Sequence, residues 1–151
     1  MNKKDLEISV SIQILKSAEE VFEAIADPEK MSKYFISEST GRIEEGRVVK
    51  WKFPEFDFEF PVRGGKANKP DYLSFYWDSD GRELLVEFNL KSNGPDKTIV
   101  TVTEKSMPAD EQGMKWLTGN TSGWANFLAC LKAWLEYGIN LRKGAFDYMK
   151  L

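Results

Sequence analysis

Few side chains in this sequence could act as a nucleophile, base or metal ligand. The 151 residues include no histidine and one cysteine, Cys130, so nucleophile–histidine pairs are excluded and no zinc site is expected. Cys130 has no basic neighbour except Lys132, which favours a structural thiol. Asp78 and Asp80 lie in a segment ending at Gly81 that is typical of a hairpin turn, and turn chemistry explains both. No catalytic residue, metal ligand or cofactor is therefore predicted.

The remaining polar candidates have simpler structural explanations. Asp57, Glu59 and Arg63 alternate with apolar residues, so they should share the solvent face of one strand and form charge pairs across the sheet. Tyr72 or Tyr76 could donate a hydrogen bond into a cavity. A buried tyrosine that donates to the backbone is the more common arrangement.

The most prominent pattern in the sequence is formed by its aromatic residues. Large apolar side chains recur at alternating positions in several segments, and the face that they form is expected to carry no ionisable group. They could line an apolar pocket between a sheet and a helix, or they could simply fill the core. In segment 72–77 either Leu73, Phe75 and Trp77 or the intervening residues could face inward. The predicted cavity lining is Trp51, Phe53, Phe58, Phe60, Phe75, Trp77, Val86, Phe88, Trp124, Phe127, Leu128 and Leu131.

Alternation of apolar and polar residues predicts the strands that would position these side chains. Turn residues between them indicate hairpins, and hence an antiparallel meander. Two short helices are predicted between residues 17 and 35, because Ser17 and Glu20 have capping-box spacing and Asp27-Pro28 can end one helix and start the next. The predicted strands span 6–14, 47–53, 56–62, 72–77, 84–90 and 99–103.

A long helix is predicted from Asn120 to Tyr137. Its apolar residues recur every three or four positions, and Gly138 follows where a helix often ends with a positive φ. A separate helix is expected to start near Pro108 and to end at Gly119. The tail, residues 139–151, could dock on the body or fray.

Composition and charge favour one folded domain, 1–151, with a core at about 6–138. The net charge is −3, with acids and bases interspersed, so neither nucleic-acid binding nor a polybasic membrane patch is predicted. No stretch has the length and apolar character of a membrane-spanning helix, and the start is not typical of a secretory signal. With one cysteine, a cytoplasmic protein is expected.

Three segments resemble a known family. They are the helix and Asp-Pro junction in residues 17–30, Tyr34-Phe35 where many members have Trp-Phe, and the closing helix from Gly123-Trp124 to Glu136. Their order resembles the START-like superfamily of the birch pollen allergen type, and more closely the homologues of the activator of the heat-shock chaperone ATPase. The resemblance covers most of residues 6–138. It implies an α+β helix-grip fold, in which a curved antiparallel sheet of six to seven strands wraps around a long C-terminal helix.

In that family the space between sheet and helix often forms a cavity. Together with the aromatic face that is expected to carry no charge, this favours a small non-enzymatic domain that binds an apolar small molecule or lipid. The alternative is a protein-interaction module related to chaperone ATPase activation, with a chaperone or another protein as partner. An enzyme of the cyclase or hydrolase kind, known elsewhere in the superfamily, is the least favoured alternative. The oligomeric state and the role of the tail stay open.

Overall fold

A curved antiparallel sheet of seven strands and one long helix dominate the structure, a computed structural model that describes residues 4–150. The order of strands in the sheet is β1-β7-β6-β5-β4-β3-β2. This arrangement confirms the predicted helix-grip fold. In chain order the strands β1 to β7 are Leu6–Ile14, Glu38–Ser39, Val48–Lys52, Glu59–Asn68, Tyr72–Ser79, Arg82–Ser92 and Thr98–Met107. The helices are α1 (Ala18–Ala26), α2 (Pro28–Met31) and α3 (Glu111–Tyr137), with a 3-10 turn at Asp147–Met149.

The predicted strands are all present, and the structure adds the two-residue β2 and extends β4 six residues beyond its predicted end, to Asn68. In β5, Phe75 and Trp77 pack on Trp51 of β3, so the set of Leu73, Phe75 and Trp77 faces inward. β4 begins only at Glu59, three residues later than predicted, because a turn closed by a hydrogen bond from the Phe56 N–H to the Phe53 carbonyl precedes it. Phe58 therefore lies outside the sheet.

The two short helices begin as predicted. The Ser17 hydroxyl accepts a hydrogen bond from the Glu20 N–H, and the Asp27 carboxylate accepts one from the Glu29 N–H. α2 is shorter than expected, and the chain then turns so that Tyr34 enters the core. The Tyr34 hydroxyl donates to the Ala24 carbonyl oxygen at 2.7 Å, which satisfies this buried polar group.

Helix α3 is one continuous element, so the predicted break at Gly119 is wrong. The Asp110 carboxylate caps its start by accepting from the Gly113 N–H at 2.7 Å. At its other end Gly138 has φ 67°, as predicted, which fits the left-handed conformation that glycine adopts readily. Its 27 residues span about 40 Å. Buried residues on both sides of Gly119 hold the helix on the sheet, which outweighs the weak helix propensity of one glycine.

The tail folds back on the body. Arg142 and Phe146 are half-buried, whereas Ile139, Leu141 and Tyr148 are exposed. Of the two outcomes left open for this segment, the structure shows docking. Across residues 4–150, no helix combines the length and the apolar character that crossing a membrane would require.

Candidate functional site

The aromatic residues nearest the middle of the sheet form a filled core. Trp51, Phe75 and Phe88 come from three strands, and Phe127 of α3 packs on Phe88 with 5.7 Å between ring centroids. All four side chains are at most 1% exposed. Val86, Leu128 and Leu131 are buried equally completely. For these seven predicted lining residues, the structure favours core packing over contact with a ligand.

A cavity of about 370 Å³ opens beside this core. Phe53, Trp77 and Trp124 are the predicted residues that line it. Phe35 joins them through edge-to-face contact with Phe53 at 5.1 Å, and Phe56 adds a further ring. Polar groups come from α3, from the tail and from Glu55 between β3 and β4. The other residues around the cavity are Glu55, Gly119, Asn120, Ser122, Gly123, Asn126, Arg142, Phe146 and Met149.

A second pocket, of about 310 Å³, adjoins this cavity. It shares Phe53, Phe56 and Trp77 with the cavity and adds Phe58 and Phe60. Phe60 is half-buried, but Phe58 is 60% exposed and stacks only on Phe56, at 5.5 Å. The expectation that Phe58 faces α3 is not met, because the ring precedes the first residue of β4.

The inner face of the sheet carries a buried carboxylate, so the expectation of a face without ionisable groups is wrong. Glu104 of β7 lies opposite Val86 of β6 and Ile8 of β1, and its exposure is 0%. Its Oε1 accepts hydrogen bonds from Trp124 Nε1 at 2.8 Å and Asn120 Nδ2 at 3.0 Å. Its Oε2 accepts from Trp77 Nε1 at 2.8 Å. These three donors supply hydrogen bonds that a buried carboxylate needs. No lysine or arginine nitrogen among residues 4–150 lies within ion-pair distance of Glu104.

The tail covers part of the cavity through an ion pair. Arg142 Nη2 donates to Glu55 Oε2 at 2.9 Å, and the two side chains are only 14% and 4% exposed. The guanidinium also lies 5.2 Å from the centre of the Phe53 ring and 4.8 Å from that of Phe146, which is cation–π geometry. Arg142 Nε is buried, with no hydrogen-bond partner in the described part of the chain. The tail is therefore held by charge and aromatic contact together.

Two glycines of α3 leave room at the cavity. Gly119 and Gly123 are one helical turn apart, and both line the cavity. A Cβ atom added at either position would meet nothing within 4 Å. Close packing thus does not require glycine here, although each glycine costs about 1 kcal/mol of helix stability relative to alanine.

Neither the Cys130 thiol nor the Tyr34 hydroxyl is activated for catalysis. Burial raises the pKa of the Cys130 thiol, which disfavours the reactive thiolate. Burial also raises the pKa of Tyr34 well above its ordinary value. Tyr72 faces the opposite side of the sheet, where its hydroxyl donates to Glu87. Neither Tyr72 nor Tyr76 lines the cavity.

Comparison with known proteins places this fold in a family. Residues 16–136 match the family described as Activator of Hsp90 ATPase homolog 1-like protein. The chain belongs to this family. No curated protein shows significant similarity to it.

Several solved structures share the fold of this member of the Activator of Hsp90 ATPase homolog 1-like family. A protein from Staphylococcus saprophyticus is 30% identical, with a TM-score of 0.79 over 91% of this chain and 96% of that one. The Aha1 dimer from Colwellia psychrerythraea is 19% identical, with a TM-score of 0.75 over 88% and 98% of the chains. DynU16, from the dynemicin biosynthetic locus, is 23% identical with a TM-score of 0.76. The match to DynU16 covers 87% of this chain and 48% of that one.

Among the residues of the site that were missed in the sequence, three carry charge: Glu104, Glu55 and Arg142. A signal for Glu104 exists, since Val100 and Val102 alternate with threonines and the same parity places residue 104 inward. Arg142 lies beyond the matched residues 16–136, in a segment with no periodic pattern. Its pairing with Glu55 joins positions 87 residues apart, which no local pattern could reveal.

Proposed function

We propose that this family member binds an uncharged, largely apolar small molecule in the cavity lined by Trp77, Trp124 and Phe53. The observation that carries the proposal is the cavity itself. Its volume of about 370 Å³ falls in the range of small-molecule sites, and aromatic walls with a few polar groups are typical of them. An apolar small molecule or lipid is also the class of ligand that the aromatic pattern of the sequence predicts.

The charges around the cavity favour a neutral ligand. Among residues 4–150, Arg142 is the cation that lines it, and this side chain is already paired with Glu55. A carboxylate or phosphate on a ligand would have to compete with Glu55 for the guanidinium. Asn126 and Ser122 on α3 offer neutral hydrogen-bonding groups instead. A neutral aromatic compound with one polar substituent therefore suits these walls better than a fatty acid.

Fluorescence titration with the neutral probe 1-aminoanthracene tests the proposal. We expect saturable binding to the wild type and, in Gly123→Leu, an affinity at least about tenfold weaker, a loss of roughly 1.4 kcal/mol in binding free energy. The leucine side chain would occupy the space that the glycine leaves at the cavity. Leucine also has a higher helix propensity than glycine, so the fold should not suffer.

Ala125→Leu is the matched control. Ala125 is exposed on the same helix and does not line the cavity, so its leucine should leave probe affinity unchanged. No saturable binding to the wild type, or equal binding to Gly123→Leu and Ala125→Leu, would contradict the proposal.

A second candidate is a protein-interaction module related to chaperone ATPase activation. The family description and several exposed apolar side chains near the C-terminus, among them Ile139, Leu141 and Tyr148, support it. Stimulation of Hsp90 ATPase activity by the purified chain is the expected result for this candidate. An unchanged ATPase rate at saturating concentrations of the chain would exclude it.

A further inference from the structure

We infer that Glu104 is the positioning residue of the cavity, because its carboxylate fixes the orientation of three lining side chains: Trp77, Asn120 and Trp124. The effect on ligand binding that this inference predicts rests on the proposed function. Glu104 itself is fully buried and does not line the cavity. It would act on a ligand only through the side chains that it holds.

The three hydrogen bonds connect the sheet with the helix. Trp77 belongs to β5, whereas Asn120 and Trp124 are one turn apart on α3. One carboxylate oxygen accepts from both helix residues, and the other accepts from Trp77. The indole rings of Trp77 and Trp124 consequently lie side by side, 5.7 Å apart and tilted by 33°. One buried group thus links these two cavity walls.

A carboxylate is the side-chain group that suits this arrangement. It accepts hydrogen bonds at both oxygens and donates none when ionised. All three neighbours point N–H groups at it, and an indole nitrogen can only donate. Glutamine has nearly the same shape, but its NH₂ group would face at least one of these donors. In Glu104→Gln, one of the indole rings must therefore turn or lose its partner.

Packing alone does not explain a carboxylate at this position. The inner-face neighbours of Glu104 along β7 are Val102 and Val100, both 0% exposed. A further apolar residue would continue that pattern and avoid the desolvation of a polar group. The charged group instead stands where its partners are cavity-lining residues, which indicates a role in shaping the cavity walls.

The test combines probe affinity with the indole N–H signals in ¹H–¹⁵N NMR spectra. In Glu104→Gln we expect 1-aminoanthracene to bind about tenfold more weakly, or roughly 1.4 kcal/mol. Of the five tryptophan indole signals, those of Trp77 and Trp124 should move. In the wild type these two signals should be shifted downfield and exchange slowly, as expected for buried hydrogen bonds to a carboxylate. The absence of this signature in the wild type would overturn the inference even if Glu104→Gln does not fold.

Thr98→Val is the matched control, since it alters another fully buried polar residue on the inner face of β7. The Thr98 hydroxyl donates to the Lys16 carbonyl oxygen at 2.8 Å, away from the cavity. We expect this variant to be destabilised while probe affinity and the two indole signals stay as in the wild type. Unshifted indole signals in Glu104→Gln, or equal loss of affinity in both variants, would overturn the inference. If the wild type binds no probe, the proposed function fails, and the indole signals still decide whether Glu104 holds the rings.

Discussion

Replacing Phe127 with alanine is expected to lower the free energy of unfolding by about 3–5 kcal/mol. The Phe127 ring is 1% exposed and contacts four other aromatic rings, from the segment after α2, from β6 and from α3 itself. Its removal would leave a void between helix and sheet that close-packed neighbours cannot fill completely. Urea denaturation followed by tryptophan fluorescence measures this loss.

Phe58→Ala is the control for this experiment. It removes a ring of the same size that is 60% exposed, so we expect a change within about 0.5 kcal/mol. A loss well under about 1 kcal/mol in Phe127→Ala would show that α3 is not seated on the sheet as described.

Replacing Arg142 with methionine should cost about 3 kcal/mol, because it leaves the carboxylate of Glu55 buried without its cation. Glu55 is only 4% exposed as a side chain, and methionine can keep much of the apolar contact with Phe53 and Phe146. The double variant Glu55→Gln/Arg142→Met should recover most of the loss, since it retains no unpaired charge. Urea denaturation of the four proteins at one pH completes this double-mutant cycle.

Lys115→Met provides the comparison for an exposed ion pair. Lys115 and Glu111 are 80% and 91% exposed and 4.0 Å apart, so the change should stay within about 0.5 kcal/mol. A loss below about 1 kcal/mol in Arg142→Met would mean that this pair contributes little and that the tail is held by other contacts.

Local patterns were sufficient for most of the fold. Alternation in segments such as 84–90 predicts strands because one side of the sheet is buried and the other is solvated. Ser17, Asp27 and Gly138 could be assigned because capping depends on residue type and on a few neighbouring positions. The same reasoning failed at Gly119, where contacts with a distant sheet outweigh a local preference.

The candidate site was less predictable, because it depends on which residues meet across the fold. Aromatic residues such as Trp51 and Trp77 have the same alternating pattern. Only the curvature of the sheet and the position of α3 decide that Trp51 is core and Trp77 lines the cavity. Glu104 was overlooked because a glutamate near the end of a strand usually faces water. Its three donors come from residues 16 to 27 positions away in sequence.

The residues that line the cavity come from two parts of the chain, the segment that matches the family and the docked tail. The sheet and α3 contribute walls from within the family match, whereas Arg142, Phe146 and Met149 follow it. The tail residues that line the cavity can therefore be varied without changing the sheet or α3, provided that Glu55 keeps a partner or loses its charge. Grafting other tail sequences onto the same scaffold, with Glu55 adjusted to the incoming charge, is a direct route to binding proteins with new selectivity.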